Sequence, residues 1–416
     1  MPTATTEPVD SIRSLLANPG YRALLVYRIC TILSYQIVAV AVGWQVYEAT
    51  RNPFSLGLIG LAEVLPYFCV APFAGHLVDT LPRRRLGMAA VSGLALTAVA
   101  LAAITLSWPL AKGVWPIYAV IVFGGAARAF LGPVYNALFA RVLKRTQFAR
   151  GASLGSVVFQ TGLVLGPAAG GALVAWGGGV HVAYAVAAVF AVAAVVALAR
   201  MPVTEPPIRQ QAGPILASIA QGMRFVWGHQ VLLGALALDM FAVLLGGAVT
   251  LAPAFIREIL DAGPEALGIL RAAPAGGSVM AALWLSRRPI NRHAGRILLV
   301  SVAGFGLCMI GFGLSTVFWL SATLLLVSGV FDGVSAVLRS TILQLATPDD
   351  MRGRVSSING LFISSSNELG AFYAGSMARL LGLVPAVVLG GCMTLVVVVT
   401  TARRAPTLRR LDLRDL

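Results

Sequence analysis

Apolar stretches of about twenty residues alternate with short polar breaks along the whole chain. They fall at 22–47, 54–78, 86–107, 115–139, 152–176, 180–200, 231–256, 265–286, 297–315, 318–344, 356–380 and 383–402. Each is long enough to cross a hydrocarbon core of ~30 Å as a helix, which satisfies its own backbone hydrogen bonds in lipid. The pattern predicts an all-α integral membrane protein with twelve transmembrane helices, six on either side of a central break. That break, Met201 to Gly213, holds Pro202, Pro206, Pro207, Gln210 and Gln211, a linker composition. After Pro214, apolar residues recur at Ile215, Leu216, Ile219, Met223, Val226 and Trp227 with helical spacing. This predicts an amphipathic helix lying at the membrane surface, or a site for a cytoplasmic partner. The expected organisation is a first bundle over 1–205, a linker with this helix over 206–230, and a second bundle over 231–416.

Composition excludes an ordinary soluble protein. Apolar residues make up 58% of the chain and charged residues 11%, with a mean hydropathy of +0.85; soluble domains carry roughly 25% charged residues. A net charge of +15 would suit nucleic acid, but its distribution argues otherwise. With the amino terminus taken as cytoplasmic, basic residues gather on one face, in Arg83 to Arg85, in Arg141 to Arg150, in Arg287 to Arg296 and in the tail 403–414. The loops of the other face hold Arg51, Lys112, Arg257 and Arg379. This is the positive-inside asymmetry, so the charge reports topology and both termini are expected in the cytoplasm. The tail has a second reading, contact with anionic headgroups.

Cys30, Cys69, Cys308 and Cys392 fall in four different spans and offer neither a disulfide framework nor a metal site. His76, His181, His229 and His293 lie at span ends or in loops. Residues 1–20 are polar and include Asp10, so no cleavable signal is expected and the first span serves as its own insertion signal. Arginine is used almost to the exclusion of lysine, as in GC-rich bacterial genomes. No metal-spaced ligand set, nucleophile elbow or phosphate-cradling loop is present, which disfavours an enzyme, and no cofactor is expected.

The two halves echo each other. Pro53-Phe-Ser-Leu-Gly57 is matched by Pro264-Glu-Ala-Leu-Gly268, each opening the second span of its half. Gly166-Pro-Ala-Ala-Gly-Gly171 is matched by Gly370-Ala-Phe-Tyr-Ala-Gly375, each in the fifth. Between the second and third spans, Gly75, Leu77, Asp79, Arg83 and Arg84 stand at the positions of the Gly-x-Leu-x-Asp-Arg/Lys-x-Gly-Arg-Arg/Lys pattern, with Thr80 and Pro82 as departures. Arg128-Ala-Phe-Leu131-Gly132 is similar to Arg-x-x-Gln-Gly, leucine replacing glutamine. In the fifth span Gly162, Gly166, Pro167, Gly170 and Gly171 match an exporter motif, with Ser153 where a glycine is usual. Thr341 to Gln344 and Pro348 to Val355 complete the set. On these motifs the chain resembles the major facilitator superfamily of transporters, in particular its enterobactin-exporter-like and drug-efflux branch.

That resemblance implies two six-helix bundles related by an axis along the membrane normal, with substrate between them. It implies a cytoplasmic clasp, in which Asp79 accepts hydrogen bonds from the start of the eleventh span, where residues 353–357 leave N–H groups free. It also implies a hinge between the fifth and eighth spans built on Gly162, Gly166, Pro167, Gly170 and Gly171. The alternative for the basic loop is a solvated segment that only sets topology.

Eight ionisable residues fall within spans: Arg28, Glu63, Arg128, Asp239, Arg271, Asp332, Arg339 and Glu368. At roughly 2.5–3.5 kcal/mol each near the bilayer centre, none is expected to face lipid unpaired. In one reading an acid binds a proton in one conformation and releases it in the other, because burial favours the neutral carboxyl and a nearby arginine the charged one. Asp332 and Asp239 come first for that role, then Glu63 and Glu368. In the other reading these are static ion pairs. Arg28, Tyr35, Gln36, Arg128, Asn136, Gln160, Arg339, Asn359 and Asn367 are the candidate cavity residues, with Gln45 as a further hydrogen-bonding group. Arg271, near the outer end of the eighth span, is expected to snorkel to the interface.

The leading expectation is a bacterial inner-membrane exporter that moves a siderophore-like compound or amphipathic drug by proton antiport. The alternatives are a proton-coupled importer or facilitator, and a lipid-translocating protein. Expected partners are the small solute, protons and membrane lipid, without nucleic acid, acting on a monomer.

Overall fold

The computed structural model describes residues 12–107, 113–203, 215–288, 290, 292–348 and 351–413. Twelve long helices follow the apolar pattern closely. They are α1 (Pro19–Thr50), α2 (Pro53–Thr80), α3 (Arg83–Ser107), α4 (Trp115–Val142), α5 (Phe148–Trp176), α6 (Val180–Ala199), α7 (Gln230–Glu258), α8 (Pro264–Arg287), α9 (Ala294–Leu314), α10 (Phe318–Ala346), α11 (Arg352–Leu381) and α12 (Leu383–Arg404). Eleven are long and apolar enough to cross a membrane among the described residues; the exception is α11, at 30 residues. Its length is ample, but Ser356, Ser357, Asn359, Ser364 to Ser366, Asn367 and Glu368 lower its hydropathy. Of these, Asn367 and Glu368 face the space between the bundles.

Helix ends follow local chemistry. The Asn18 side chain accepts from the N–H groups of Gly20 and Tyr21 to cap α1, and Asn52 accepts from Phe54 to cap α2. Each is followed by a proline at the first helical position, where no N–H is needed. Arg51 takes the left-handed conformation (φ 48°) that turns the chain between these two helices.

The helices sort into two bundles whose pairings repeat with an offset of six. In the first, α1 packs on α5 and α6, α2 on α4, and α3 on α4 and α6; in the second, α7 packs on α11 and α12, α8 on α10, and α9 on α10 and α12. Two cross-bundle pairings obey the same offset, α2 with α11 and α5 with α8. The helix Ile215–Gly228 precedes α7 and docks on the second bundle through buried Val226, while Trp227 stays exposed. Polar linker residues 204–214 lie outside the described residues, as does the side chain of Asp79.

The repeated sequence motifs meet at the two cross-bundle pairings. A Cβ placed on Gly375 would stand 2.8 Å from the Cα of Gly57, and one on Gly171 would stand 2.7 Å from the Cα of Gly268. The Pro-x-x-x-Gly motif of each half therefore docks on the glycine cluster of the other. Only residues without side chains permit backbones to approach this closely. Both contacts lie toward the end opposite the chain termini, hereafter the far end. Other bundle-to-bundle contacts gather there too. Tyr47 donates to Glu258, Arg257 Nε lies 3.2 Å from Glu48 Oε1, and the Phe54 ring lies 6.0 Å from that of Phe372. Arg51 and Arg257, expected as loop residues, both pair with Glu48.

Candidate functional site

On the terminal side of these contacts a cavity of about 790 Å³ lies between the bundles, walled by α1, α2, α4, α5, α7, α8 and α11. Two helix breaks shape it. In α4, Pro133 has no N–H for the carbonyl of Ala129, so the helix parts into Trp115–Arg128 and Leu131–Val142. Arg128 thereby ends the first segment and projects into the cavity. In α7 the helix stops at Gly246–Gly247, and the following turn brings Val249 and Thr250 to the wall before α-helix resumes at Ala252. Non-helical backbone at membrane depth is tolerated where it lines such a space.

Arg128 organises the deep part of the site. Its Nη1 lies 3.0 Å from Glu63 Oε2 on α2, and its Nη2 lies 3.0 Å from Glu368 Oε1 on α11. Nη1 also donates to the Tyr35 hydroxyl on α1, which donates in turn to Glu63 Oε2 at 3.2 Å. The guanidinium sits 4.4 Å from the centroid of the Tyr35 ring. One arginine thus ties a carboxylate from each bundle, in side chains that remain 15–22% exposed. Such charge-assisted, forked bonding fixes position as well as energy.

The remaining candidates divide. Arg28, Gln36, Asn136 and Asn367 line the cavity together with Tyr35, Glu63, Arg128 and Glu368; Gln160 and Asn359 lie outside its lining. Asp239 and Arg339 form a buried ion pair between α7 and α10 inside the second bundle, away from the cavity wall. Asp332 stands on α10 seven residues before Arg339 and likewise lines no part of the cavity. The order expected from sequence, Asp332 and Asp239 ahead of Glu63 and Glu368, is thus reversed in distance from the cavity. Gln45 is committed elsewhere, donating to Thr105 and accepting from Tyr184 within the first bundle.

Arg271 departs from expectation. It does not snorkel outward but lines the cavity, with Nη2 3.7 Å from where a Cβ on Gly43 of α1 would stand. The signal was its spacing: Arg271 lies one turn after Gly268, hence on the helix face that meets the other bundle. Tyr67 and Thr31 also belong to the lining and carried no sequence signal.

Of the conformational elements, Gly162, Gly166 and Gly170 pack on α1, against Ile32, Gln36 and Val40. Gly171 alone of the four, with the carbonyl of Pro167, meets α8 at Gly268. The glycine cluster therefore serves two helices, α1 through Gly162, Gly166 and Gly170 and α8 through Gly171. Arg84 donates to the carbonyl of Met201 at 3.2 Å, capping the end of α6 within its own bundle. Arg83 opens α3, and a Cβ on Gly75 would meet nothing within 4 Å. The Asp79 clasp falls outside the described side chains, as do Arg352, Gly353, Arg354, Ser356 and Ser357 of its proposed partner. Among the described residues no group of three or more His, Cys, Asp and Glu is placed to hold a metal ion.

A sequence model of the Major Facilitator Superfamily matches residues 24–371. The multidrug efflux pump Tap of Mycolicibacterium fortuitum is 28% identical over 395 residues, covering 91% of this chain and 93% of its own. The enterobactin exporter EntS of Citrobacter koseri is 26% identical over 379 residues, covering 88% and 87%. Among solved structures, a D-xylose-proton symporter superposes with a TM-score of 0.72 at 13% identity, covering 94% of this chain and 99% of its own. A bacterial homologue of the human lysosomal transporter Spinster gives 0.70 at 15% identity, covering 94% and 95%. These structural likenesses bear on the fold.

Proposed function

This chain belongs to the major facilitator superfamily of multi-pass membrane transporters, and on that footing we propose that it exports a small amphipathic organic molecule by proton antiport. Export is favoured by the similarity along nearly the whole length to a multidrug efflux pump and an enterobactin exporter. The observation that carries the coupling is the Arg128 bridge between Glu63 and Glu368, because it joins the two bundles through groups that gain or lose protons.

The basic loops and termini face the cytoplasm under the positive-inside asymmetry, so the cavity opens inward and the far end is closed. In this state Arg128 is the counter-charge beside both carboxyl groups. Opening the far end carries α11 away from α4 and strips Glu368 of its counter-charge. A carboxylate left alone in low dielectric takes up a proton, here from the outer face. Closing the far end returns Arg128, which expels that proton to the cytoplasm as the cavity opens inward for the next solute. Glu63 shares the arginine throughout and keeps it in place.

The test uses proteoliposomes. Glu368→Gln keeps the side chain's shape and removes its charge. Transport driven by a proton gradient is expected to fall at least ~tenfold, the scale of losing a charged hydrogen bond, while solute exchange without a gradient persists. Gradient-driven transport at the unsubstituted rate would overturn the coupling assignment. Asp332→Asn is expected to leave gradient-driven transport in place, because Asp332 lines no part of the cavity.

A further inference from the structure

Three polar atoms in one patch of the cavity wall have no hydrogen-bond partner: Arg28 Nε, Thr31 Oγ1 and the Tyr135 hydroxyl. Buried polar atoms are nearly always satisfied, so three together call for an absent partner. Arg28 and Thr31 are three residues apart on α1 and share a face. The Arg28 guanidinium lies 3.9 Å from the centroid of the Tyr135 ring and 5.0 Å from that of Phe159. Stacking of this kind occupies the faces of the guanidinium and leaves its in-plane N–H donors directed outward. Gly155 keeps the patch clear, since a Cβ there would collide with the Tyr135 hydroxyl and stand 3.9 Å from Arg28 Nη1.

The patch is rich in donors and poor in acids. Among the described residues no carboxylate lies within ion-pair distance of Arg28; Glu63 and Glu368 are both taken by Arg128. The charged lining residues are Arg28, Arg128 and Arg271 against Glu63 and Glu368, one cation in excess. With both acids on Arg128, Arg28 and Arg271 have no ion pair among the described residues, and Ile32, Leu131 and Leu163 add apolar wall to the same cavity as Arg28. The two arginines thus have different duties. Arg128 is saturated by protein, and Arg28 is not.

We propose that the Arg28–Thr31–Tyr135 patch is the subsite that receives the oxyanion of a singly charged amphipathic anion, whose apolar body lies along the neighbouring wall. This rests on the cavity being the transport cavity, but not on the coupling mechanism. A carboxylate would bond the N–H groups of the guanidinium, with small side-chain turns bringing Nε and the two hydroxyls, covered in this state, into the donor set.

Equilibrium binding to the purified full-length protein in lipid nanodiscs, with empty nanodiscs subtracted, tests it. The probes are 2-naphthoate and 2-naphthamide, one body with and without a charged carboxylate. Naphthoate is expected to bind at least ~tenfold more tightly, and Arg28→Gln to erase the difference. Arg28→Lys keeps the charge without the fork, and Tyr135→Phe keeps the stacked ring without the hydroxyl. Either is expected to lower naphthoate affinity ~threefold or more, on the scale of one hydrogen bond. These two variants carry the test if Arg28→Gln does not fold. Equal binding of the two probes, no binding of naphthoate, or a preference that survives Arg28→Gln would overturn the assignment. No gradient is applied, so failure here leaves the coupling assignment standing, and failure of the Glu368→Gln test leaves this one standing.

Discussion

At the scale of single residues, the chain uses its intramembrane charges in two ways. Asp239 and Arg339 neutralise each other inside one bundle, whereas Arg128 holds acids from both. A buried pair loses about 3–5 kcal/mol when one partner is removed, because the other is left charged and alone. Asp239→Ala is therefore expected to lower the thermal unfolding midpoint sharply in detergent. The double variant Asp239→Leu, Arg339→Met should recover most of the loss, and failure to recover would mean the pair does more than neutralise itself. The sequence identified all eight charges, because charge in an apolar span is conspicuous. It could not rank them, since rank depends on the rotation of each helix about its axis. Asp332 and Glu368 look alike in the chain; one faces its own bundle and the other faces Arg128. Arg28 and Arg128 also look alike, and differ only in whether carboxylates reach them.

At the scale of elements, helix positions were legible almost to their ends because bilayer thickness sets length and Asn-Pro pairs mark two of the starts. The breaks in α4 and α7 are not legible from Pro133, Gly246 and Gly247 alone, because a proline or glycine bends some helices and interrupts others. The glycine cluster of α5 meets both α1 and α8, a division that the run of glycines in sequence does not show. Gly171→Val places a branched side chain where only 2.7 Å separates an added Cβ from the Cα of Gly268. The expected result is a far end pushed apart. Spin labels at Asn52 and Asp261, in a background without the native cysteines, should show a longer or broader distance distribution by pulsed electron resonance. An unchanged distribution would show that the α5–α8 contact yields elsewhere.

At the scale of the whole molecule, the loop charges predict that the terminal end faces the cytoplasm. A fluorescent-protein fusion at the carboxyl terminus should be bright and an alkaline-phosphatase fusion there inactive; the reverse pattern would invert the direction of transport proposed above. Folding into two bundles was legible from the echoes Pro53 to Gly57 with Pro264 to Gly268, and Gly166 to Gly171 with Gly370 to Gly375. What the echoes could not reveal is that they face each other. Gly57 meets Gly375 and Gly268 meets Gly171, so each half presents both a ridge and its receiving groove. The far end is therefore an isologous joint drawn within one chain, like the interface of a two-fold dimer whose subunits happen to be linked. It follows that the register of one half on the other is fixed at two equivalent points. The halves carry complementary surfaces there, and a mismatch at one point can be relieved only by its own partner, never by the copy across the axis.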